Sequence, residues 1–253
     1  MRELLGHSDR VRSSPALELD DASLAKIEIV YGSLGRMSQA HRPWLVINMI
    51  QSIDGGITVD GVSGGLGGPA DRAVFRALRR QAPMILVGAA TVRSEVYRPA
   101  RCPIAVVSAT GEFGAARELR EHPTTLVLCS NAATIDDFDE SRIVRSGDED
   151  FDFVGALATM SDRDVPWILC EGGPRINGQL LALDLVDEVC VTIAPVTLSG
   201  TSSRIAGFQD SVLHSFELAS AIEHDSMLLL RYLRHPADTA RRSTQSALEI
   251  SEP

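Results

Sequence analysis

The 253-residue sequence contains little lysine, little cysteine and no excess of positive charge. Lys26 is the only lysine, so a phosphate-loop lysine or a Schiff-base lysine would have to be this residue, which lies in a polar-flanked helical pattern. The net charge is −10, and the arginines are scattered among acidic residues rather than clustered. These features argue against phosphate-loop enzymes, Schiff-base enzymes and nucleic-acid-binding proteins.

The cysteines and the lengths of the apolar runs indicate the cellular compartment of the protein. The four cysteines are far apart, and three of them lie in apolar runs, which is typical of buried free thiols rather than of disulfides or a zinc site. No run reaches ~18 apolar residues, and the N-terminus lacks a charged-then-apolar signal pattern. We therefore expect a cytoplasmic protein with no membrane segment and no metal site.

The stretch PWILCEGGPRINGQLL (166–181) combines a short buried strand, a glycine turn and the start of a helix. Gly172 and Gly173 permit positive φ and a close approach of the backbone to a ligand, and Pro174 suits a first helical position. Backbone N–H groups at such a helix start can bind a phosphate without a basic side chain. A tight strand–helix turn with nothing bound gives the same pattern.

Strands and helices alternate from residue 43 to about residue 182, and three long β-type runs then follow without a helix between them. This order predicts a mixed, mostly parallel α/β sheet with helices on both faces and antiparallel C-terminal strands. The chain divides into an N-terminal extension with a peripheral helix (1–42), one α/β domain (43–235) and a flexible tail (236–253).

Small and hydroxyl residues follow four of the predicted strands, at the sheet edge where ligands bind in folds of this kind. They are Gly88 with Thr91, then Ser108, then Ser130, and finally the run Glu171-Gly172-Gly173. Such groups suit a phosphorylated cofactor.

The glycine-rich loop GVSGGLGG (61–68) contains two motif-like strings. Residues 61–65 match the G-x-S-x-G nucleophile elbow, but more glycines separate Ser63 from the next helix, and no convincing Asp and His follow in the required order. Residues 65–70 match G-x-G-x-x-A, yet no acid ends the following strand. Neither a hydrolase nor a Rossmann site is expected here.

Several charged residues have both a structural and a functional interpretation. Asp71, in the first turn of the helix after the loop, either stabilises the helix dipole or hydrogen-bonds the N–H groups of a heterocycle. Asp54 in SIDGG is typical of a turn. Arg79 is either solvated or holds a substrate phosphate, and Glu171 either ends a strand or binds a sugar hydroxyl.

Taken together, five segments resemble the reductase family of riboflavin biosynthesis, which shares the dihydrofolate reductase fold. They are INMIQSIDGGIT, the glycine-rich loop with LRR, MILVGAATVRSE, ILCEGGPRING and LVDEVCVTIAPVTLSG, spanning about residues 43–234. The resemblance implies a dihydrofolate reductase-like three-layer fold and an NADPH-dependent, usually dimeric reductase. Its substrate would be 5-amino-6-(5-phosphoribosylamino)uracil, reduced at the ring-opened ribose carbon or its imine.

The resemblance also implies roles for individual residues. The cofactor diphosphate would lie against Gly88, Thr91, Gly172, Gly173, Pro174, Arg175 and Ile176. Ser108 would lie near the adenosine 2′-phosphate, and the substrate would contact Asn48, Ser63 and Arg79, with Arg79 facing its phosphate. The reacting centre would be flanked by Asp71, Asp54 and Glu171, with Asp71 recognising the heterocycle.

Two features depart from that family. The sequence shows no H-x-E with P-C-x-x-C, so we expect any deamination step to belong to another protein. PADRAVF places Asp71 where dihydrofolate reductases bind the pterin and where riboflavin reductases are generally not acidic. The substrate is therefore a ribosylaminopyrimidine or a dihydropterin, and a nucleotide-binding protein without reductase activity is the remaining alternative.

Overall fold

The computed structural model describes residues 21–32, 35–39, 41–207 and 212–234. Its strands are β1 (Trp44–Gln51), β2 (Ile85–Gly88), β3 (Ile104–Val107), β4 (Leu126–Cys129), β5 (Ile143–Arg145), β6 (Trp167–Cys170), β7 (Glu188–Ile193), β8 (Phe216–His224) and β9 (Met227–Arg234). Its α-helices are α1 (Asp21–Tyr31), α2 (Pro69–Gln81), α3 (Ala89–Glu95), α4 (Arg117–Glu121), α5 (Phe153–Ser161) and α6 (Pro174–Ala182). The predicted tail, 236–253, and residues 1–20 lie outside the described residues.

The nine strands form one sheet in the order β5-β4-β3-β2-β6-β1-β7-β9-β8. The pairs from β5 to β7 are parallel, whereas β9 runs antiparallel to both β7 and β8. The predicted mixed sheet with antiparallel C-terminal strands is thus confirmed. Because the carboxyl ends of the parallel strands share one edge, the loops after β1, β2, β3 and β6 meet there.

The core has two halves, one on each face of the sheet, because neighbouring strand residues point in opposite directions. Val46 packs with α1, α2 and α3, whereas Leu45 and Ile47 pack with α5 and α6. The predicted layers of helices on both faces are confirmed. All four cysteines are free and buried, as expected. Within the described residues, no helix combines the length and hydropathy needed to cross a membrane.

The N-terminal helix α1 is part of this core, although its polar flanks predicted a peripheral helix. Ile27 and Tyr31 are buried in it. Arg36, just beyond α1, donates from Nε and Nη2 to the Glu188 carboxylate on β7 at 2.9 and 2.6 Å, and from Nη1 to the Tyr31 carbonyl at 3.1 Å. Arg231 on β9 donates to the same carboxylate at 2.8 Å. This buried triad, Arg36–Glu188–Arg231, fixes the end of α1 to the sheet.

Candidate active site

The residues predicted to hold a diphosphate form a compact group between β2 and β6. The Gly88 N–H donates to the Gly172 carbonyl at 2.8 Å. A Cβ on Gly88 would lie 2.7 Å from Ile176 Cδ1, and a Cβ on Gly173 would lie 2.7 Å from Thr91 Oγ1. We call Gly88, Thr91, Gly172, Gly173 and Ile176 the glycine cluster; its close contacts leave no room for side chains on Gly88 and Gly173.

Two helices begin at this cluster. Gly88 is the N-cap of α3 and Gly173 is the N-cap of α6, and no side chain among the described residues caps either end. Their first N–H groups are therefore available to an anionic ligand, and two positive helix ends lie side by side. Pro174 occupies the first turn of α6 and Arg175 follows it, exposed. The Gly172–Gly173 peptide bond is cis.

Ser108 lies just beyond the end of β3, one strand away from Gly88. It is buried, and its hydroxyl accepts hydrogen bonds from the N–H groups of Thr110 and Gly111 at 3.3 and 3.0 Å. The hydroxyl therefore shapes the loop after β3. Its predicted contact with an adenosine 2′-phosphate stays a prediction.

Arg79 and Glu171, which the sequence assigned to different parts of the site, bind each other. The Arg79 guanidinium donates from Nε and Nη2 to the two Glu171 oxygens at 2.7 and 2.6 Å. It also lies over the rings of Phe75 and Tyr97, at 4.2 and 5.0 Å from their centres. Burial raises the pKa of Glu171, and the hydrogen bonds and charge of Arg79 partly oppose this effect. Arg79 is thus held at the carboxyl end of β6. Its Nη1 takes no part in the hydrogen bonds to Glu171.

Replacing Arg79 with glutamine is expected to lower the free energy of unfolding by about 3 kcal/mol at neutral pH, because Glu171 would be left buried without its partner. The unpaired Glu171 would have a still higher folded pKa. The loss should therefore be small below pH 4.5, the ordinary pKa of a glutamate, and grow as pH rises above it. Urea unfolding at pH 4 and pH 7.5 would measure it.

Arg80→Gln is the matched control, since Arg80 pairs with Glu28 on the surface, where both side chains are about half exposed. It should cost less than about 1 kcal/mol at either pH. Equal losses for the two variants would contradict a structural role for the buried pair.

Asp71 is in the first turn of α2, against the sheet. Burial raises the pKa of its carboxyl, and a hydrogen bond from Thr192 and the charge of Arg72 oppose this. Thr192 is buried on β7, opposite Ile50 of β1. Among the described residues, no ion pair includes Asp71. The result is a half-buried carboxylate with spare acceptor capacity.

Asn48 lies on the same face of the sheet as Thr192. It is half-buried on β1 and pairs with Cys190, which is two residues before Thr192 on β7. Because side chains two apart on a strand share a face, Asn48 lies on the α2 side, together with Asp71. Its role as a substrate contact stays a prediction.

Asp54 holds two loops together. Its carboxylate accepts hydrogen bonds from the Ser52 hydroxyl at 2.6 Å and from the N–H groups of Leu198 and Ser199 at 3.0 and 2.8 Å. These bonds lower the pKa of this exposed carboxyl to about 2. The turn interpretation fits this geometry, and no contact joins Asp54 to Asp71 or Glu171 among the described residues. Its proposed catalytic role stays a prediction.

Ser63 is fixed through its backbone. Its N–H donates at 2.7 Å to Glu95, the last residue of α3. This bond ties the glycine-rich loop to the helix that starts at Gly88. The predicted contact of Ser63 with the substrate stays a prediction.

Sequence reasoning missed Thr192 and the triad Arg36–Glu188–Arg231. Glu188 did carry a signal, since it is an acid within the apolar run VDEVCVT. A fully buried carboxylate requires partners, but its partner Arg36 is 152 residues away in sequence. Nothing in the sequence indicated a role for Thr192, because threonine is common in β-strands.

A cavity of about 370 Å³ lies on the opposite face of the sheet from Asp71. It is lined mainly by apolar side chains of β1, β7, β9 and α6, among them Ile47, Val189, Val191 and Leu181. Val189 and Val191 alternate with Cys190 and therefore face away from α2. The cavity is separate from the chemistry of Asp71, Arg79 and Glu171.

Two comparisons with solved structures support this fold. A pyrimidine reductase-like protein of Corynebacterium diphtheriae superposes with a TM-score of 0.70 at 25% identity, covering 83% of this chain and 98% of that one. A riboflavin biosynthesis reductase of Saccharomyces cerevisiae superposes with a TM-score of 0.63 at 16% identity, covering 84% of this chain and all of that one (100%). The second likeness is evidence for the fold alone.

Comparisons of the amino-acid sequence identify the family of this chain. A 2,5-diamino-6-ribosylamino-4(3H)-pyrimidinone 5′-phosphate reductase of Methanothermobacter thermautotrophicus is 29% identical over 178 residues, which are 64% of this chain and 82% of that protein. A family model, the RibD C-terminal domain, matches residues 43–228. This range includes the glycine cluster, the Arg79–Glu171 pair and Asp71, and the chain belongs to the RibD C-terminal domain family.

Proposed function

We propose that the chain is an NADPH-dependent reductase of riboflavin biosynthesis, acting on the ring-opened ribose of a phosphoribosylaminopyrimidine. The observation that carries the proposal is the glycine cluster, where two uncapped helix starts meet at the carboxyl ends of β2 and β6. The first N–H groups of both helices can bind a diphosphate there without a basic side chain. Family membership and the pyrimidinone reductase relative support the substrate class.

NADPH, when bound, supplies the hydride that reduces the sugar carbon. The residues of the chain position the two ligands. The N–H groups at the starts of α3 and α6 hold the diphosphate. Asp71 accepts hydrogen bonds from the N–H groups of the heterocycle. Arg79 presents Nη1 beside the buried Glu171 carboxylate. An acid or water supplies the proton, and positioning accounts for most of the rate.

NADPH oxidation by the purified protein tests this proposal, with 2,5-diamino-6-ribosylamino-4(3H)-pyrimidinone 5′-phosphate and dihydrofolate offered in parallel. The proposal expects a clear rate with the pyrimidine. NADPH that binds without being oxidised by either compound would support a nucleotide-binding protein instead. Failure to bind NADPH would contradict the assignment of the glycine cluster.

Dihydropterin reduction is the second candidate, and Asp71 is the observation that favours it. A half-buried carboxylate bonded to Thr192 in the first turn of α2 can accept hydrogen bonds from a pterin ring as well as from a pyrimidine. Oxidation of NADPH with dihydrofolate alone would select this candidate.

The proposal also includes a cytoplasmic homodimer. Leu213 and Leu183 are 95% and 47% exposed; Leu213 directly precedes the cavity residue His214, and Leu183 follows the cavity residue Leu181 by two positions. Exposed apolar side chains around an apolar cavity favour association with another protein surface. Light scattering should give the dimer mass, and Leu213→Asp should shift it toward the monomer. A monomeric wild-type protein would contradict this part.

A further inference from the structure

The strand order gives the direction in which a bound cofactor runs along the sheet edge. The glycine cluster lies between β6 and β2, and β3 follows on the far side of β2. Asp71, which lies against β7, and Arg79, which binds Glu171 at the end of β6, are both on the β6 side of the cluster. A cofactor with its diphosphate at the cluster and its nicotinamide beside these residues therefore extends its adenosine end toward β3.

Ser108 lies where the adenosine end arrives, directly after β3, and it is only 6% exposed. A serine hydroxyl has two acceptor positions and one donor hydrogen. The N–H groups of Thr110 and Gly111 fill both acceptor positions. The hydroxyl hydrogen has no acceptor among the described residues. A ligand oxygen at this point can therefore accept the hydrogen bond that Ser108 is left to donate.

Arg93 on α3 brings a positive charge to the same loop. Residues 108–116 contain no lysine or arginine of their own. Arg93 donates from Nη1 to the main-chain carbonyl of Glu112 at 3.0 Å, whereas its Nε and Nη2 have no hydrogen bond, and the side chain no ion pair, among the described residues. A helical side chain leans over the preceding turn, which here contains Ala89 and Ala90 and has no bulk to block a ligand.

Arg120 is the other arginine that contacts this loop, and its donors are already used. Its Nε donates to the Gly111 carbonyl at 3.3 Å and its Nη2 to the Asp136 carbonyl at 2.8 Å. Its guanidinium also lies over the Phe138 ring, 5.5 Å from the ring centre. Arg120 therefore shapes the loop, and Arg93 is the cation that keeps two donor nitrogens for a ligand.

We propose that Arg93, together with the Ser108 hydroxyl, binds the phosphate on the adenosine ribose and makes the protein prefer NADPH to NADH. This inference rests on the proposed function and names the residue that sets its cofactor choice. A phosphate monoester carries a charge of about −1.5 to −2 at neutral pH, whereas NADH has an uncharged hydroxyl at that position. Hydrogen bonds from a guanidinium to a phosphate are charge-assisted and are among the strong ones in proteins.

The test compares the dissociation constants of NADPH and NADH in the wild type and in Arg93→Gln. The wild type should bind NADPH at least about 10-fold more tightly than NADH. Arg93→Gln should weaken NADPH roughly 10- to 100-fold and NADH less than about 2-fold, because glutamine removes the charge and can still donate to the Glu112 carbonyl. Arg93→Lys keeps the charge and should retain most of the preference.

Fluorescence titration without substrate keeps this test separate from turnover. Arg163→Gln is the matched control, since Arg163 is exposed just beyond α5 on the other face of the sheet, and it should leave the ratio of the two constants unchanged. Equal weakening of both cofactors in Arg93→Gln would mean that Arg93 only supports the loop, and the inference would be wrong. A wild type that binds NADH as tightly as NADPH would also overturn it.

The proposed function can fail separately. If Arg93→Gln loses the preference for NADPH but the wild type reduces neither the pyrimidine nor dihydrofolate, the inference stands and the reductase proposal fails. If the wild type reduces the pyrimidine equally well with NADH and NADPH, the protein is a reductase and the inference is wrong. Absence of binding by either cofactor would overturn both.

Discussion

Replacing Glu188 with glutamine is expected to lower the free energy of unfolding by about 3 to 5 kcal/mol, the range for removing one partner of a buried ion pair. The carboxylate is fully buried and accepts hydrogen bonds from Arg36 and Arg231. A neutral amide would leave the guanidinium groups of Arg36 and Arg231 without a counter-charge at the start of β7. Chemical unfolding of both proteins at neutral pH measures the difference.

The same carboxylate should make stability depend on pH in acid. Burial alone would raise the pKa of Glu188, but the hydrogen bonds and charges of Arg36 and Arg231 bring it from 4.5 to about 2. Because the folded pKa is depressed, the stabilisation is present above pH 4.5 and is lost as pH falls toward 2. The penalty of Glu188→Gln should shrink over that window.

Glu121→Gln is the control for this comparison, because Glu121 is an exposed acid at the end of α4. Its effect should stay within about 0.5 kcal/mol at every pH. A Glu188→Gln penalty as small as the control, or one that does not change between pH 4.5 and pH 2, would contradict the role of the triad.

Gly88→Val is expected to weaken NADPH binding by at least about 100-fold, which corresponds to about 2.7 kcal/mol. The backbone at Gly88, with φ −84° and ψ 144°, accepts a β-branched residue, so the strand should still form. The new side chain would start 2.7 Å from Ile176 Cδ1 and 3.6 Å from the Gly173 nitrogen. It would therefore displace the Ile176 side chain and crowd the Gly173 nitrogen at the start of α6.

NADPH fluorescence titration measures this loss, and Ala221→Val serves as the matched control. Ala221 is exposed on the edge strand β8, so the same kind of added bulk lies away from the glycine cluster. If the Gly88→Val variant keeps the far-ultraviolet circular dichroism spectrum of the wild type and still binds NADPH normally, the diphosphate must lie elsewhere.

The parts of the fold that depend on local pattern could be predicted from the sequence. Apolar runs of strand length and the glycine turn at Gly172–Gly173 depend on residues close together in the chain, and each is found where it was expected. The position of Gly88 and Gly173 at one sheet edge also followed, because the carboxyl ends of parallel strands meet there.

The parts that depend on distant partners could not be predicted. Arg79 and Glu171 were each assigned to a ligand, whereas the structure pairs them across 92 residues of sequence. The position of α1 also depends on a distant partner. Its polar flanks suggested a peripheral helix, whereas Arg36, just beyond it, pairs with Glu188 on the sheet. A charged residue in an apolar run indicates that a buried charge needs a partner. The neighbouring residues in the sequence do not identify that partner.

Transfer of deuterium from labelled cofactor shows whether a hydride moves from NADPH to the ribose carbon. The protein would be incubated with NADPH deuterated at nicotinamide C4 and the 2-amino phosphoribosylaminopyrimidine, and the product would be analysed by mass spectrometry. Hydride transfer should place one deuterium in each product molecule, on the former ribose carbon that becomes the end of the open sugar chain. A product without deuterium, or cofactor oxidation without any reduced pyrimidine, would contradict hydride transfer at this site.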